Sequence, residues 1–358
     1  MPRLTQREQK TGRQVSQRAI GELAGVSQAT VSLVLAGRKV NSEETRQRVL
    51  SAAKELRYRP NLLVHGMQTG KSKMVGVMAP PYDYFWSRIL YGIHDTLAAN
   101  DYVPITVWPT HNGREIEARN GYETDELSQI HRLLDRRVDG VILWPPTASL
   151  FSEHVAEFSS RELPMVTIDH ILPPSFHADS VGSDETLGGR LVAEHLCALG
   201  HRRIGHIAGP AITTWGSLRR KAFESALADC PDATCLTFEA PAGHPTLATD
   251  LIRDVLSRPD RPTAIFAATD LLARVVYRVA DRLGLKIARD LTVVGYSDDD
   301  FAAELNPPLT TVRQDAYRMG CRAAEIVVGR AGDVLDEARL HEALPVELIV
   351  RASTAALI

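Results

Sequence analysis

The chain has 358 residues, 44% of them hydrophobic and 24% charged, the balance of a globular protein long enough for two or three domains. No apolar run reaches the roughly 20 residues of a membrane-spanning helix, and no hydrophobic stretch follows the basic start as a secretory signal would require, so a cytoplasmic protein is expected. The net charge of −3 hides a division: residues 1–73 hold 14 Lys and Arg against 5 Glu and no Asp, a net of +9, while the remainder carries −12.

A basic head on an acidic body points to a polyanion as partner of the head alone. Residues 1–14, with Arg3, Arg7, Lys10 and Arg13, read as a flexible basic arm. Ser16 caps a first short helix whose apolar face is Ala19, Ile20 and Leu23. Gly25 supplies the backbone freedom of a sharp turn. Ser27 caps a second helix, Gln28 to Leu35, with Val31, Val34 and Leu35 at helical spacing. Gln28, Ala29, Ser32 and Leu33 remain on its outer face. A short helix with an exposed first turn, held by another across a fixed turn, suits the DNA major groove. Ser42 opens a third helix to about Leu56, with Glu43 and Glu44 in its first turn and Val49, Leu50, Ala53 and Leu56 on one face. Pro60 then breaks the helix, Asn61 caps a short segment from Leu62 to Met67, and Gly70 to Lys73 is a linker.

From Met74 onward, apolar runs alternate with helical patterns. The runs are Met74–Met78, Tyr102–Val107, Gly140–Leu143, Met165–Ile168, Ile204–Ala208, Thr263–Ala267 and Leu291–Val294. Helices are expected at Trp86–Ala99, Asp125–Arg136, Leu187–Leu199, Leu218–Ala228, Thr246–Leu256, Asp270–Leu283 and Ala316–Val328. Such alternation predicts an α/β body of parallel sheets covered on both faces, with a cleft beyond the carboxyl ends of the strands. The four cysteines, Cys197, Cys230, Cys235 and Cys321, show no metal spacing and read as reduced structural thiols. No phosphate-binding glycine loop, nucleophile elbow or paired histidine motif appears, so no metal, cofactor or catalytic residue is assigned and the chain is not read as an enzyme. A transport-type binding protein would fit the body, but not the basic head.

Several of these segments together resemble the lactose repressor (LacI/GalR) family. The head carries Val15, Ile20, Leu23-Ala24-Gly25-Val26-Ser27, Thr30-Val31-Ser32 and Val34-Leu35, then Ser42, Thr45-Arg46, Val49 and Tyr58-x-Pro60-Asn61. The body carries Val138-Asp139-Gly140-Val141-Ile142, Leu199-Gly200-His201-Arg202-Arg203-Ile204, Val293-Val294-Gly295-Tyr296 and Asn306-Pro307-Pro308-Leu309-Thr310-Thr311-Val312. The resemblance implies a homodimeric transcription regulator, expected to be a repressor, that reads a pseudo-palindromic operator under control of a small effector, a sugar or sugar derivative. No tetramerising tail is recognisable, which favours a dimer. The implied fold is a small all-α helix-turn-helix head on a two-lobed body shaped like a periplasmic binding protein, with two parallel sheets. The implied divisions are a flexible arm at 1–14, a head at 15–60, a hinge and linker at 61–73, one lobe from 74–175 with 308–335, and the other from 176–307 with 336–358.

The resemblance also assigns sites. Gln28, Ala29 and Leu33 take the base-reading positions, where Gln can pair with adenine and Ala or Leu can meet a thymine methyl. Leu33 stands where the family often has Arg, so a different operator preference follows. Ser16, Gln17, Ser27, Thr30, Ser32, Arg38 and Asn61 are candidates for phosphate contact or helix packing. Met67 takes the place of the hinge leucine that wedges into the minor groove, beside Gly66 and His65, and predicts a softer hinge. In the cleft, Phe85, Trp86, Asp169, Arg219, Phe266, Thr269, Asp270, Ser297 and Gln314 match effector positions. Ser297 replaces a family Asp while Arg219 is kept, which points to an acidic ligand unless Asp298 reaches in.

Overall fold

A computed structural model describes residues 15–36, 38, 40, 42–59, 66, 70–79, 84–107, 128–144, 151–209, 214–240, 245–332, 334 and 338–357. The basic arm, Asn61, His65, Met67 and the helix expected at Leu62–Met67 lie outside the described residues. The chain divides into two compact units, Met1–Ser72 and Lys73–Ile358.

The first unit is built from α1 (Gln17–Ala24), α2 (Gln28–Leu35) and α3 (Glu43–Glu55). Each helix starts on the serine expected: Ser16, Ser27 and Ser42 accept from the backbone N–H of Ala19, Thr30 and Thr45. Gly25 ends α1 in the left-handed region at φ 65°, where a side chain would be strained. A second glycine closes the turn from the other side. A Cβ on Gly21 would stand 2.7 Å from the Val26 carbonyl oxygen, so α1 and the turn approach closely only because Gly21 lacks one. Ile20, Ala24, Val31, Val34, Val49, Ala52 and Ala53 form the core of this unit. Leu23 and Leu50, expected inside, are 40% and 39% exposed. Three short helices enclose one small core, and it is filled without them.

The second unit holds two six-stranded sheets. In the first, the order is β11 (His341–Leu344), β5 (Asp179–Ser183), β4 (Met165–Ile168), β3 (Gly140–Leu143), β1 (Met74–Met78), β2 (Val103–Val107), all parallel. In the second it is β12 (Glu347–Ile349), β10 (Thr310–Arg313), β9 (Thr292–Ser297), β8 (Ala264–Ala267), β6 (Arg203–Ala208), β7 (Thr234–Glu239), with only β12 antiparallel. The central strands β3, β4 and β8 are buried along their whole length, as sheets covered on both faces demand. Helices α4 (Tyr84–Ala99), α5 (128–135), α6 (Phe151–Ser160) and α11 (Ala316–Ala331) pack with the first sheet. Helices α7 (Glu185–Ala198), α8 (Thr214–Ala228), α9 (Thr249–Leu256) and α10 (Asp270–Arg282) pack with the second.

Sheet membership corrects the expected lobe boundaries. β5 and β11 belong to the first sheet although 176–307 and 336–358 were assigned to the second lobe, and β10 belongs to the second although 308–335 was assigned to the first. The chain therefore crosses between lobes three times: from Ser183 to α7, from Arg313 to α11, and from Leu344 to Glu347. The reason lies in composition. β5 reads Asp-Ser-Val-Gly-Ser and β11 reads His-Glu-Ala-Leu, so neither shows an apolar run, yet both join the sheet by backbone pairing, β5 between β4 and the edge strand β11.

Candidate functional site

Two surfaces gather the residues singled out above. The first is the outer face of α2. Ser27 Oγ accepts from the Thr30 N–H at 3.2 Å and pairs with Thr30 Oγ1 at 2.9 Å, so both hydroxyls are committed to the start of the helix. Gln28 and Ala29 are exposed on that first turn, and Leu33 stands one turn further, 41% exposed. An exposed leucine beside an exposed glutamine and alanine is a surface that can meet base edges and a thymine methyl. Ser16 Oγ is held by the Ala19 N–H at 3.3 Å, Gln17, Thr30 and Ser32 are half-buried, and Arg38 is exposed.

The second surface is the cleft beyond the carboxyl ends of the strands. Its floor is a buried ion pair. Arg219 on α8 donates from Nε to Glu185 at 2.6 Å and from a terminal nitrogen to the other Glu185 oxygen at 2.9 Å, with both side chains under 5% exposed. Its remaining terminal nitrogen donates to the Ala268 carbonyl at the end of β8. The guanidinium lies 3.3 Å from the Tyr296 ring centroid and 4.9 Å from that of Trp215. Gly189 lets α7 and α8 close to this distance, since a Cβ there would stand 2.5 Å from the Arg219 carbonyl. Gln314, on the second crossing segment, donates to Ser183 at 2.9 Å and reaches Glu185 at 3.5 Å.

Asp169 sits at the edge of this pair. It follows β4 in the left-handed region at φ 57°, and its Oδ1 is buried without a hydrogen-bond partner. Burial first, and the Glu185 carboxylate second, push its carboxyl up to about 7, against the pull of Arg219 and the Ser183 N–H. His170 beside it also has a buried nitrogen, Nε2, without a partner, and burial pushes that ring down to about 4. An aromatic strip continues from there: His170 to Trp144 at 6.2 Å, Trp144 to Trp86 at 5.2 Å, and Trp86 to Phe85 at 5.7 Å between ring centroids.

Asp169, Arg219 and Gln314 are thus brought together, with Trp86 and Phe85 on the strip leading to them. Other assigned residues serve the fold. Phe266 is fully buried, stacked on His206 at 4.5 Å and flanked by Phe223. Thr269 caps α10 by accepting from the Leu272 N–H. Asp270 is fully buried, accepting from Thr311 at 2.6 Å and from the Asp299 N–H at 2.9 Å. Burial, partly offset by those bonds, pushes it up to about 6. Ser297 lies at φ 128° at the end of β9, half-buried. Asp298 does not turn to the floor: it accepts from Arg313 and Arg351, both at 2.7 Å. Glu185 neutralises the Arg219 on which the expectation of an acidic ligand rests. Glu185, Tyr296, Trp144 and His170 were not singled out. Trp144 and His170 follow strands directly, which was the available signal; Glu185 becomes visible only once α7 packs on α8.

Comparison with known proteins follows the same division. Residues 18–61 match the bacterial regulatory proteins of the lacI family, and residues 193–354 match the periplasmic binding protein-like domain. The HTH-type transcriptional repressor PurR of Edwardsiella ictaluri is 28% identical over 345 residues, covering 94% of this chain and 96% of the relative. PurR of Aliivibrio fischeri (strain MJ11) is 28% identical over 342 residues, covering 93% and 96%. The lac repressor dimer bound to operator and the anti-inducer ONPF superposes with a TM-score of 0.82 at 25% identity, over 96% of this chain and all of that one. The transcriptional regulator CelR in complex with cellobiose superposes at 0.70, also at 25% identity, over 95% of this chain and all of that one.

Proposed function

The chain belongs to the LacI family of bacterial regulatory proteins, and from that premise we propose that it is a sequence-specific transcriptional repressor. It acts as a homodimer on a pseudo-palindromic operator, under control of a small effector, a sugar or sugar derivative, in the cleft between its lobes. The observation that carries the reading is the pairing of two features in one chain. A serine-capped α2 exposes Gln28, Ala29 and Leu33, and a two-sheet body holds unsatisfied polar groups at its strand ends. The first is a surface for base edges; the second is a surface for a ligand.

In this reading the head reads sequence through Gln28 and the two apolar contacts, and Ser16, Gln17, Arg38 and Asn61 position it on phosphates. Met67 wedges the minor groove at the hinge. Asp169, Arg219, Gln314, Phe85 and Trp86 contact the effector, and no residue performs catalysis. A protein that acts on DNA works in the cytoplasm; among the described residues no helix is long and apolar enough to cross a membrane.

The test is a binding selection with the full chain on genomic fragments, followed by mobility shifts over a salt series. Enrichment of one two-fold symmetric sequence, with affinity that falls steeply with salt and changes with a small molecule, is the expected result. Uniform affinity for all fragments would overturn it.

A further inference from the structure

The chemistry of the cleft floor says which small molecules it admits. Among the described residues, the cation of the floor and the two beside Asp298 already have carboxylates, while Arg88 and Arg274 lie over the rings of Tyr84 and Phe301. Arg219 holds Glu185, and Arg313 and Arg351 share Asp298. The segments after β1, β3, β6 and β7, at 80–83, 145–150, 210–213 and 241–244, contain no Lys or Arg in sequence, and 108–127 after the edge strand β2 carries two Arg against five Asp and Glu. An incoming carboxylate or phosphate therefore finds its best cation taken. Around the floor, the buried polar atoms without a hydrogen-bond partner are Asp169 Oδ1, His170 Nε2 and the Tyr296 hydroxyl; none of them is a cation. Around Asp169 stand Glu185 from α7, Arg219 from α8, Tyr296 from β9, His170 from its own strand end and the Ser183 N–H from β5. With Asp169 ionised these groups carry one net negative charge, and their side chains are buried.

We propose that the cleft selects a hydroxyl-rich primary amine, such as an amino sugar, whose ammonium group donates to Asp169 Oδ1 while its apolar face lies on the Trp86–Trp144 strip. The inference rests on the effector-binding reading and adds its ligand class. An ammonium supplies what the site lacks: a donor for the orphaned oxygen and a positive charge for the excess carboxylate. Indole faces suit both the C–H surface of a sugar ring and a nearby cation. A neutral sugar satisfies the hydrogen bond but not the charge; an acid adds a third carboxylate beside Asp169 and Glu185.

The experiment uses the full chain and matched triads of probes: 2-amino-2-deoxyhexoses, the parent hexoses, and the corresponding hexuronates and hexose 6-phosphates, measured by calorimetry. One amine is expected to bind about tenfold tighter than its neutral counterpart, with no binding of the acids. Its affinity should rise about tenfold from pH 5.5 to 7 as Asp169 ionises, and the neutral probe's should not. Asp169→Asn, which suits the left-handed backbone at that position, should bring amine and hexose to equal affinity. The pH series on the unaltered protein decides the matter even if the variant folds poorly. Binding confined to hexoses or acids, or no binding by any member, overturns the amine assignment. The effector reading itself falls only if a broad metabolite library also leaves operator affinity unchanged.

Discussion

Replacing Glu185 by Gln removes the counter-charge of a guanidinium that is 4% exposed, and the cost can be worked from its contacts. Arg219 makes two bonds to Glu185, at 2.6 and 2.9 Å, and one to the Ala268 carbonyl. Glutamine keeps one acceptor and turns the other oxygen into a donor that faces the guanidinium. Breaking a buried pair by removing one partner costs roughly 3–5 kcal/mol, since the remaining charge is stranded. Asp169 stays as a nearby carboxylate, so the lower end, about 3 kcal/mol, is expected. At roughly 2–4 °C per kcal/mol, the melting transition of the body should fall by about 6–12 °C. Arg219→Met should also destabilise, but adding Glu185→Gln to it should cost less than about 1 kcal/mol more, because no cation is left to strand. The assay is a double-mutant cycle on urea and thermal melts of the body. A loss below about 1 °C for Glu185→Gln, or strictly additive single effects, would show that the pair is not desolvated and would refute the closed floor drawn above.

Three other outcomes are expected. Asp169 is raised in the folded protein above its unfolded value of 3.8 to about 7, so the folded state is disfavoured progressively as pH rises between those values. Asp169→Asn should therefore melt like the parent near pH 4 and gain about 2–4 kcal/mol at pH 8 without ligand, read from urea midpoints; a gain at pH 4 instead would mean the sign is wrong. Gln28→Ala should relax preference at one base pair of each half-site by about 1–3 kcal/mol, measured by competition against operator variants, whereas a loss equal on all sequences would place Gln28 on a phosphate. Gly21→Ala sets a Cβ 2.7 Å from the Val26 carbonyl, so the turn must open; operator affinity should drop on every sequence while the body's melt stays unchanged, and an unaltered affinity would show the turn is not rigid.

The head was legible almost to the residue because its signals are local. Serine caps, a glycine turn and apolar spacing act within one turn of helix, and α2 starts and ends where the sequence reading put it. What failed there was Leu23 and Leu50, since periodicity marks a face but not how far a three-helix core extends. In the body, every expected apolar run became a strand or its flank, while β5, β7, β10, β11 and β12 were not expected. Those five are stabilised by pairing with strands distant in sequence, so no local pattern announces them. The cleft divides along the same line. Asp169 and Gln314, matched to family positions, meet at the floor, whereas Phe266 and Asp270, matched in the same way, turn inward to the aromatic stack and to Thr311. Sequence places a residue at a strand end; only packing decides which way it faces.

That packing puts the proposed ligand site and the lobe connection in one place. Ser183 and Glu185 flank the first crossing between sheets, and Gln314 lies on the second; Gln314 bonds Ser183 and reaches Glu185, which in turn holds Arg219. Asp169, on the first sheet, feels both Glu185 and Arg219 of the second lobe. A ligand that satisfies Asp169 therefore changes the electrostatic balance of the same residues that tie the two lobes together.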